Sequence, residues 1–316
     1  MSNFAITGVS GYIGKLLAKR LEGYGDCKKI VGIDIRNPDF TFQKMLFYNA
    51  DVRDRSVGDI FEKEKIDTLV HLAFIFTPIR DMKKSYDINI NGTSNILKNA
   101  AKRKIKRIMI FSSTVAYGAH RDNAQFLTEE SPIRGNNDFF YTRDKAEVEI
   151  ITDKFRNEYK DIIIMNVRPS IIFGPNVDNH ISRYIDRPVV PFISGYNPDF
   201  QFVHENDLID ACMLFFDKNV SGSFNIVGRD PLPVKSIPAL GGRKIIDIPF
   251  GVFYLMNELM WQMRIPLVEM PASMSSIIMY RWIASGEKAK RELGFVPKYS
   301  TADAVLDFYN KRVSPK

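Results

Sequence analysis

The 316-residue chain holds only two cysteines, Cys27 and Cys212, and four histidines. The cysteines lie far apart and match no metal-ligand spacing, so no metal site is expected, and both read as reduced thiols of a cytoplasmic protein. No apolar run approaches the roughly 20 residues that a bilayer-spanning helix needs, which excludes a transmembrane segment. The first strand is expected to start by residue 3, so no signal or transit peptide is expected. Internal repeats and low-complexity tracts are missing as well, so neither a fibre nor a disordered chain is expected. Net charge is +7 with a pI near 9.2, yet no basic repeat or nucleic-acid motif accompanies it. Lys102, Arg103, Lys104, Lys106 and Arg107 read as a solvated helix end, and nucleic acid is not an expected partner.

What is there begins almost at the first residue. A short apolar run, Phe4-Ala5-Ile6, leads into Thr7-Gly8-Val9-Ser10-Gly11-Tyr12-Ile13-Gly14. Glycines at these positions let a strand turn tightly into a helix, let a pyrophosphate approach the backbone, and let the helix pack on the sheet. The amides of Tyr12 and Ile13 would then face phosphate from a helix N-terminus. Ile13, Leu16, Leu17 and Leu21 follow at helical spacing, with Lys15, Lys19 and Arg20 on the other side. The next strand, Lys29 to Asp34, ends in an acid 20 residues after Gly14. An acid there accepts hydrogen bonds from the adenosine ribose and repels a 2′-phosphate, which favours NAD over NADP. Arg36 acts in the other direction, because its guanidinium could pair with that phosphate.

Farther on, strands and helices alternate, the pattern of a parallel sheet covered on both faces. Strands are expected at Met45–Tyr48, Thr68–Leu72, Ile108–Phe111 and Ile162–Val167. Helices are expected over about 57–65 and 85–103, with another from about Phe139. Asp34, Asp51, Leu72, Ser113 and Arg168 fall at the carboxyl ends of strands, where ligands bind in such sheets. The Pro- and Gly-rich stretches around 186–198 and 228–242 read as connections.

Tyr141 and Lys145 are separated by about one helical turn and share a face. A nearby ammonium favours phenolate, so Lys145 is expected to lower the Tyr141 pKa toward neutrality. Tyr141 could then take a proton from a substrate hydroxyl or return one to a carbonyl. Ser113 supplies a hydroxyl to hold the substrate oxygen.

These motifs together resemble the extended short-chain dehydrogenase/reductases, often called NAD-dependent epimerase/dehydratases. The resemblance runs through Asp51-Val52-x-Asp54, His71-Leu72-Ala73, Asn89-x-Asn91-Gly92-Thr93, Ser112-Ser113-x-x-x-Tyr117-Gly118, Tyr141-x-x-x-Lys145, Arg168-Pro169-x-x-x-x-Gly174-Pro175 and Phe202-Val203-His204-x-x-Asp207-Leu208. It implies that Ser113, Tyr141 and Lys145 form the catalytic set and that Lys145 also holds the nicotinamide ribose. Asp51 and Val52 would flank the adenine, Leu72 and Ala73 would line the cofactor cleft, and Asn89 would lie near the proton relay. With Gly8, Gly11, Tyr12, Ile13, Gly14, Asp34, Arg36 and Arg168, these complete the expected cofactor set. His204 and Asp207 are expected to brace the second domain.

Departures bear on the substrate. Dehydratases of the family resemble Ser/Thr-Asp-Glu where this chain has Ser113-Thr114-Val115, which disfavours elimination of water. Nucleotide-sugar members carry an arginine where this chain has Phe200, and Arg281 lies too close to the Lys288–Gly294 segment to match their second phosphate-binding arginine. From Gly251 to Ile265 a helix is expected with Val252, Leu255, Met256, Leu259, Met260 and Met263 along a broad apolar face. It reads as core or dimer interface, with a substrate wall or lipid contact as the alternative.

The expected architecture is α/β, a Rossmann doubly wound parallel sheet in 1–170 with a further sheet contribution from about 200–228. A smaller C-terminal α/β substrate-binding region would comprise 171–199 and 229–316. The expected protein is an NAD-dependent oxidoreductase of the epimerase/dehydratase type acting on a small molecule at a secondary alcohol or ketone carbon, either a nucleotide-sugar epimerase or, as the alternative, a hydroxysteroid-dehydrogenase-like dehydrogenase/reductase of a hydrophobic alcohol. A non-catalytic dinucleotide-binding sensor or scaffold is the alternative from another class, and the expected assembly is a homodimer.

Overall fold

A computed structural model describes residues 1–266 and 268–313. Strands β1 (Ser2–Thr7), β2 (Cys27–Asp34), β3 (Met45–Asn49), β4 (Thr68–His71), β5 (Arg107–Phe111) and β6 (Ile163–Pro169) alternate with helices α1 (Tyr12–Glu22), α2 (Ser56–Lys63), α3 (Met82–Tyr86), α4 (Gly92–Lys102) and α5 (Phe140–Glu158). Short elements follow: β7 (Ile171–Phe173), α6 (His180–Ile185), β8 (Val189–Ile193), β9 (Asp199–Phe200) and β10 (Phe202–His204). Helix α7 (Glu205–Asp217) then leads to β11 (Gly222–Ile226), β12 (Leu232–Pro233), α8 (Ser236–Leu240) and β13 (Lys244–Ile248). The chain closes with α9 (Phe250–Gln262), α10 (Ser275–Met279) and α11 (Thr301–Val313).

The central sheet has seven strands in the order β11-β6-β5-β4-β1-β2-β3, all parallel. Side chains alternate between its two faces, as a strand requires. Phe4, Ile6, Val70, Met109 and Met165 pack on one side with Leu17 of α1 and Leu208 of α7. Ala5, Leu69, Ile108, Ile110 and Ile164 pack on the other with Phe61 of α2, Leu97 of α4 and Val148 of α5. Both faces are covered, which is why the strands read as near-continuous apolar runs.

Of the 200–228 stretch, Gly222–Ile226 extends the main sheet beside β6. Phe200 to His204 instead pairs outside it, β9 with β12 and β10 with β7. The stretches at 186–198 and 228–242 are more than connections, since β8 lies in the first and pairs with β13. A third core gathers Phe173, Phe192, Phe200, Phe202, Trp282 and Phe308. The helix expected over 85–103 is broken, because Asp87–Asn91 is a π-helical segment between α3 and α4. Such an extra residue in the ladder re-aims side chains, and here it turns Asn89 inward.

Strand order reverses between β1 and β4, so their carboxyl ends open the crevice where ligands bind in doubly wound sheets. The two ends are stitched together: Leu72 N donates to Thr7 O at 3.0 Å, and Thr7 Oγ1 lies 2.7 Å from His71 Nδ1.

Candidate active site

A cleft of about 860 Å³ opens at this point of reversal. Gly8, Ser10, Gly11, Tyr12, Ile13 and Gly14 line one end. The backbone leaves no room for side chains there. Gly8 has φ +75°, and a Cβ on it would lie 2.7 Å from Ala73 N, while one on Gly14 would lie 2.5 Å from Gly8 O. Gly11 caps α1, whose first turn faces this end of the cleft. A cradle with bare amides at a helix N-terminus fits a dinucleotide pyrophosphate.

Asp34 closes β2 and accepts hydrogen bonds from Ser10 N at 3.1 Å and Arg36 N at 3.0 Å. Arg36 lines the cleft, and its Nε stands 4.0 Å from Asp34 Oδ1. Acid and guanidinium thus sit together, with Arg36 among the residues lining the cleft and Asp34, itself buried, outside them.

Ser113, Tyr141 and Lys145 all line the middle of the cleft. Ser113 caps the 3₁₀ turn Thr114–Tyr117, accepting from Val115 N at 3.2 Å and donating to Pro169 O at 3.3 Å. Tyr141 and Lys145 project from the first turns of α5, with the ammonium 5.7 Å from the Tyr141 ring centroid. Lys145 Nζ donates to Phe111 O at 2.7 Å and sits 3.5 Å from the centre of the Phe74 ring. Burial lowers the Lys145 pKa to about 7, with Glu149 and Asp144 opposing. Tyr141 does not follow the sequence expectation. Burial raises its pKa, and the force that lowers it is a hydrogen bond with Ser113, not the lysine charge. Phe74, Phe76 and Phe139 crowd the phenol, with centroids 5.6, 5.1 and 6.0 Å away. Such surroundings disfavour the charged form.

Several expected cofactor residues do not line the cleft. Arg168 is fully buried, donating through Nε and Nη2 to Glu149 at 2.9 Å each and through Nη1 to the Tyr117 hydroxyl at 2.8 Å. A cation this deep requires a paired anion with its hydrogen bonds filled. Glu149 meets that need, so Arg168 ties β6 to α5 and is absent from the residues lining the cleft. Asn89 is buried outside the cleft too. Its Oδ1 accepts from Ile75 N at 2.8 Å, and its Nδ2 donates to Asp144 Oδ2 at 3.0 Å. It therefore links the loop carrying Phe74 and Phe76 to the helix carrying Tyr141 and Lys145. Asp51 is held by Arg53 at 2.6 Å and Val52 is buried against Gly92. Ala73 packs under Gly8, whereas Leu72 reaches the cleft wall.

The far end is apolar. Phe192, Phe200, Trp282, Ile277 and Ile278 line it, and Phe200 meets Trp282 edge to face at 5.7 Å. Its polar members are few. Arg183 is closed off by Asp178 at 2.7 Å and Glu269 at 2.5 Å. His180 packs against Phe76, ring centroids 4.5 Å apart and planes tilted by 32°; Phe76 also meets Tyr141, and burial lowers the His180 pKa to about 4. Arg281 is exposed and is not among the lining residues. Phe74, Phe76, His180 and Trp282 escaped the sequence reading. An apolar Phe74-Ile75-Phe76 directly after His71-Leu72-Ala73 was the available signal for the first two. His204 stacks on Tyr299 at 3.8 Å and Asp207 accepts from Tyr299 N at 3.0 Å, a brace between α7 and the C-terminal segment.

Residues 4–227 match the NAD dependent epimerase/dehydratase family, and the chain belongs to it. An uncharacterized protein of Mycobacterium tuberculosis is 23% identical over 97% of this chain and 83% of its own length. Short-chain dehydrogenase/reductase family 42E member 1 of Xenopus laevis is 25% identical over 96% of this chain and 87% of its own. Among solved structures, dTDP-glucose 4,6-dehydratase of Bacillus anthracis in complex with NAD superposes with a TM-score of 0.76 at 18% identity, covering 99% of this chain and 96% of that one. UDP-glucose 4-epimerase of Thermotoga maritima with UDP-glucose gives a TM-score of 0.76 at 20% identity, covering 98% of each chain. The protein is thus an enzyme-family member with the fold of NAD-binding epimerases and dehydratases. Among the described residues no helix is long and apolar enough to cross a membrane.

Proposed function

We propose that the protein is an NAD-dependent dehydrogenase/reductase that interconverts an apolar secondary alcohol and its ketone. The observation that carries this is the wall at the far end of the cleft. Phe200 packed on Trp282 occupies the place of a phosphate-gripping arginine, and the nearby Arg183 is saturated by Asp178 and Glu269. A nucleotide diphosphate entering there would lose water without gaining a free cation. Dehydration finds no support either, because Asp178 is the sole carboxylate among the described lining residues.

The glycine cradle would hold the pyrophosphate of NAD, Asp34 the adenosine ribose and Lys145 the nicotinamide ribose. When bound, NAD supplies the acceptor or donor of a hydride at the substrate carbon. Ser113 Oγ holds the substrate oxygen, and the Tyr141 hydroxyl exchanges a proton with it. Burial keeps Tyr141 protonated near neutral pH, so the site is set to give a proton to a ketone oxygen. Oxidation of the alcohol requires the phenol to lose that proton first. Its rate should therefore climb as pH rises above neutrality, while reduction should not.

The test is to screen hydrophobic secondary alcohols and ketones against nucleotide sugars, following absorbance of the reduced nicotinamide. Oxidation of an apolar alcohol with net cofactor reduction is expected. Conversion of a nucleotide sugar without net cofactor reduction would overturn the proposal in favour of epimerisation.

A further inference from the structure

Polar atoms at the far end of the cleft are mostly taken up by the protein itself. Asn257 Nδ2 donates to Met270 O at 2.8 Å, Ser275 Oγ to Ala272 O at 2.6 Å and Trp282 Nε1 to Ile277 O at 3.2 Å. The Tyr184 hydroxyl donates to Pro191 O, and Arg183 is held by Asp178 and Glu269. His180 differs: it lines the same cleft and is 2% exposed, yet its Nδ1 is buried with no hydrogen-bond partner. Two further lining residues with buried, unpartnered hydroxyls, Ser112 and Ser170, lie just past the carboxyl ends of β5 and β6, beside Ser113 and Pro169.

The start of α6 does not need the imidazole. Asn179 Oδ1 caps the helix, accepting from Ile181 N at 2.9 Å and Ser182 N at 3.0 Å, and Ser182 Oγ accepts from Asn179 N at 2.9 Å. The ring packs against Phe76, a contact that a phenylalanine or methionine would make as well. A buried polar atom without a partner is a net cost to the fold, and one kept in a ligand cleft calls for a partner that the ligand brings. Burial keeps the imidazole neutral at neutral pH, so it offers one N–H and one lone pair. A charged group would leave water for an apolar wall whose Arg183 is already paired. The partner that fits is an uncharged oxygen.

We propose that His180 is a specificity residue whose imidazole hydrogen-bonds a second, uncharged oxygen of an otherwise apolar substrate, remote from the carbon that exchanges hydride. Recognition of that oxygen stands on the orphaned imidazole, whereas the reaction at the other end rests on the proposed function. Phe76 meets both His180 and Tyr141, at 4.5 and 5.1 Å between ring centroids, so imidazole and phenol stand at most two ring contacts apart. A decalin skeleton with an oxygen on each ring matches that span. Phe76, only partly buried, is the cover that the substrate moves aside to reach the imidazole.

Calorimetric binding of decalin-2,6-diol and decalin-2-ol to the full chain saturated with NADH tests recognition without turnover, because an alcohol and a reduced cofactor do not react. Wild type should bind the diol about tenfold more tightly than the mono-alcohol, the scale of one added neutral hydrogen bond. His180→Phe should erase that preference while holding decalin-2-ol affinity within about twofold, since the swap roughly conserves volume. His180→Met should behave alike, so recognition can be read even if one variant folds poorly. Equal affinity of wild type for the two compounds, binding of neither, or a diol preference that survives in the variants would overturn the inference. Oxidation of decalin-2-ol with NAD, followed separately, tests the reaction. If that oxidation fails while the diol preference holds, the proposed function falls and recognition by His180 stands.

Discussion

The two ends of the cleft are built on different principles. At the cofactor end the backbone does the shaping: Gly8 holds φ +75°, and a Cβ on Gly14 would collide with Gly8 O at 2.5 Å. At the substrate end side chains do it, with Phe200, Trp282, Ile277 and Ile278 arriving from segments distant along the chain. A backbone cradle tolerates few residue types and so leaves a mark in local sequence. A wall of apolar side chains can be drawn from many combinations and leaves little.

Between the two ends lies Tyr141, and removing its hydroxyl has the largest expected effect. Tyr141→Phe should lower kcat by about a thousandfold, the usual scale of general acid–base catalysis, while calorimetric affinity for NAD stays within about twofold. An unchanged kcat would sink the proton-transfer role.

Acid stability sharpens the comparison at the substrate end. His180 is buried and neutral, with a pKa lowered from 6.5 to about 4. The unfolded chain takes up a proton as pH falls through 6.5 while the folded chain resists until about 4, so stability should drop across that window. His180→Phe should remove its share of the drop, at most roughly 3 kcal/mol at pH 4, as read by denaturant unfolding at both pH values. A drop of equal size in the variant would mean that other groups govern it. His71, held near pKa 3 by burial, provides an internal reference because it stays in place.

At the cofactor end, Gly14→Ala inserts a methyl group against rigid backbone. Affinity for NAD should fall by roughly tenfold or more and the melting temperature should drop, overpacking of this kind costing about 1–3 kcal/mol. Unaltered binding would show that the cradle can relax. The smallest expected effect belongs to the wall. Phe200→Leu should raise KM for an apolar alcohol by about tenfold with kcat retained, as loss of uniform binding does. A variant that lowers kcat and leaves KM unchanged would mean that Phe200 acts on the reacting centre rather than on affinity.

Much of this arrangement was legible beforehand. The positions of β1 to β6 and the glycine turn followed from periodicity and motif spacing, and the grouping of Ser113 with Tyr141 and Lys145 from the family resemblance. Arg168 was misjudged because its position at a strand end says nothing about Glu149, which supplies the carboxylate from α5. The break at Asp87–Asn91 was equally hidden. Its purpose shows only when Asn89 is seen bridging Ile75 and Asp144.

Local sequence determined whatever depends on backbone sterics or on residues within a turn or two: strand alternation, the glycine cradle, and the shared helical face of Tyr141 and Lys145. Tertiary structure alone decided what depends on neighbours remote in sequence. Burial among Phe74, Phe76 and Phe139 keeps the Tyr141 proton in place despite the nearby lysine, because desolvation is set by everything packed around a group. The same dependence on remote packing leaves Val252, Leu255, Met256 and Leu259 of α9 exposed in the single chain, although the helix reads in sequence as core or dimer interface.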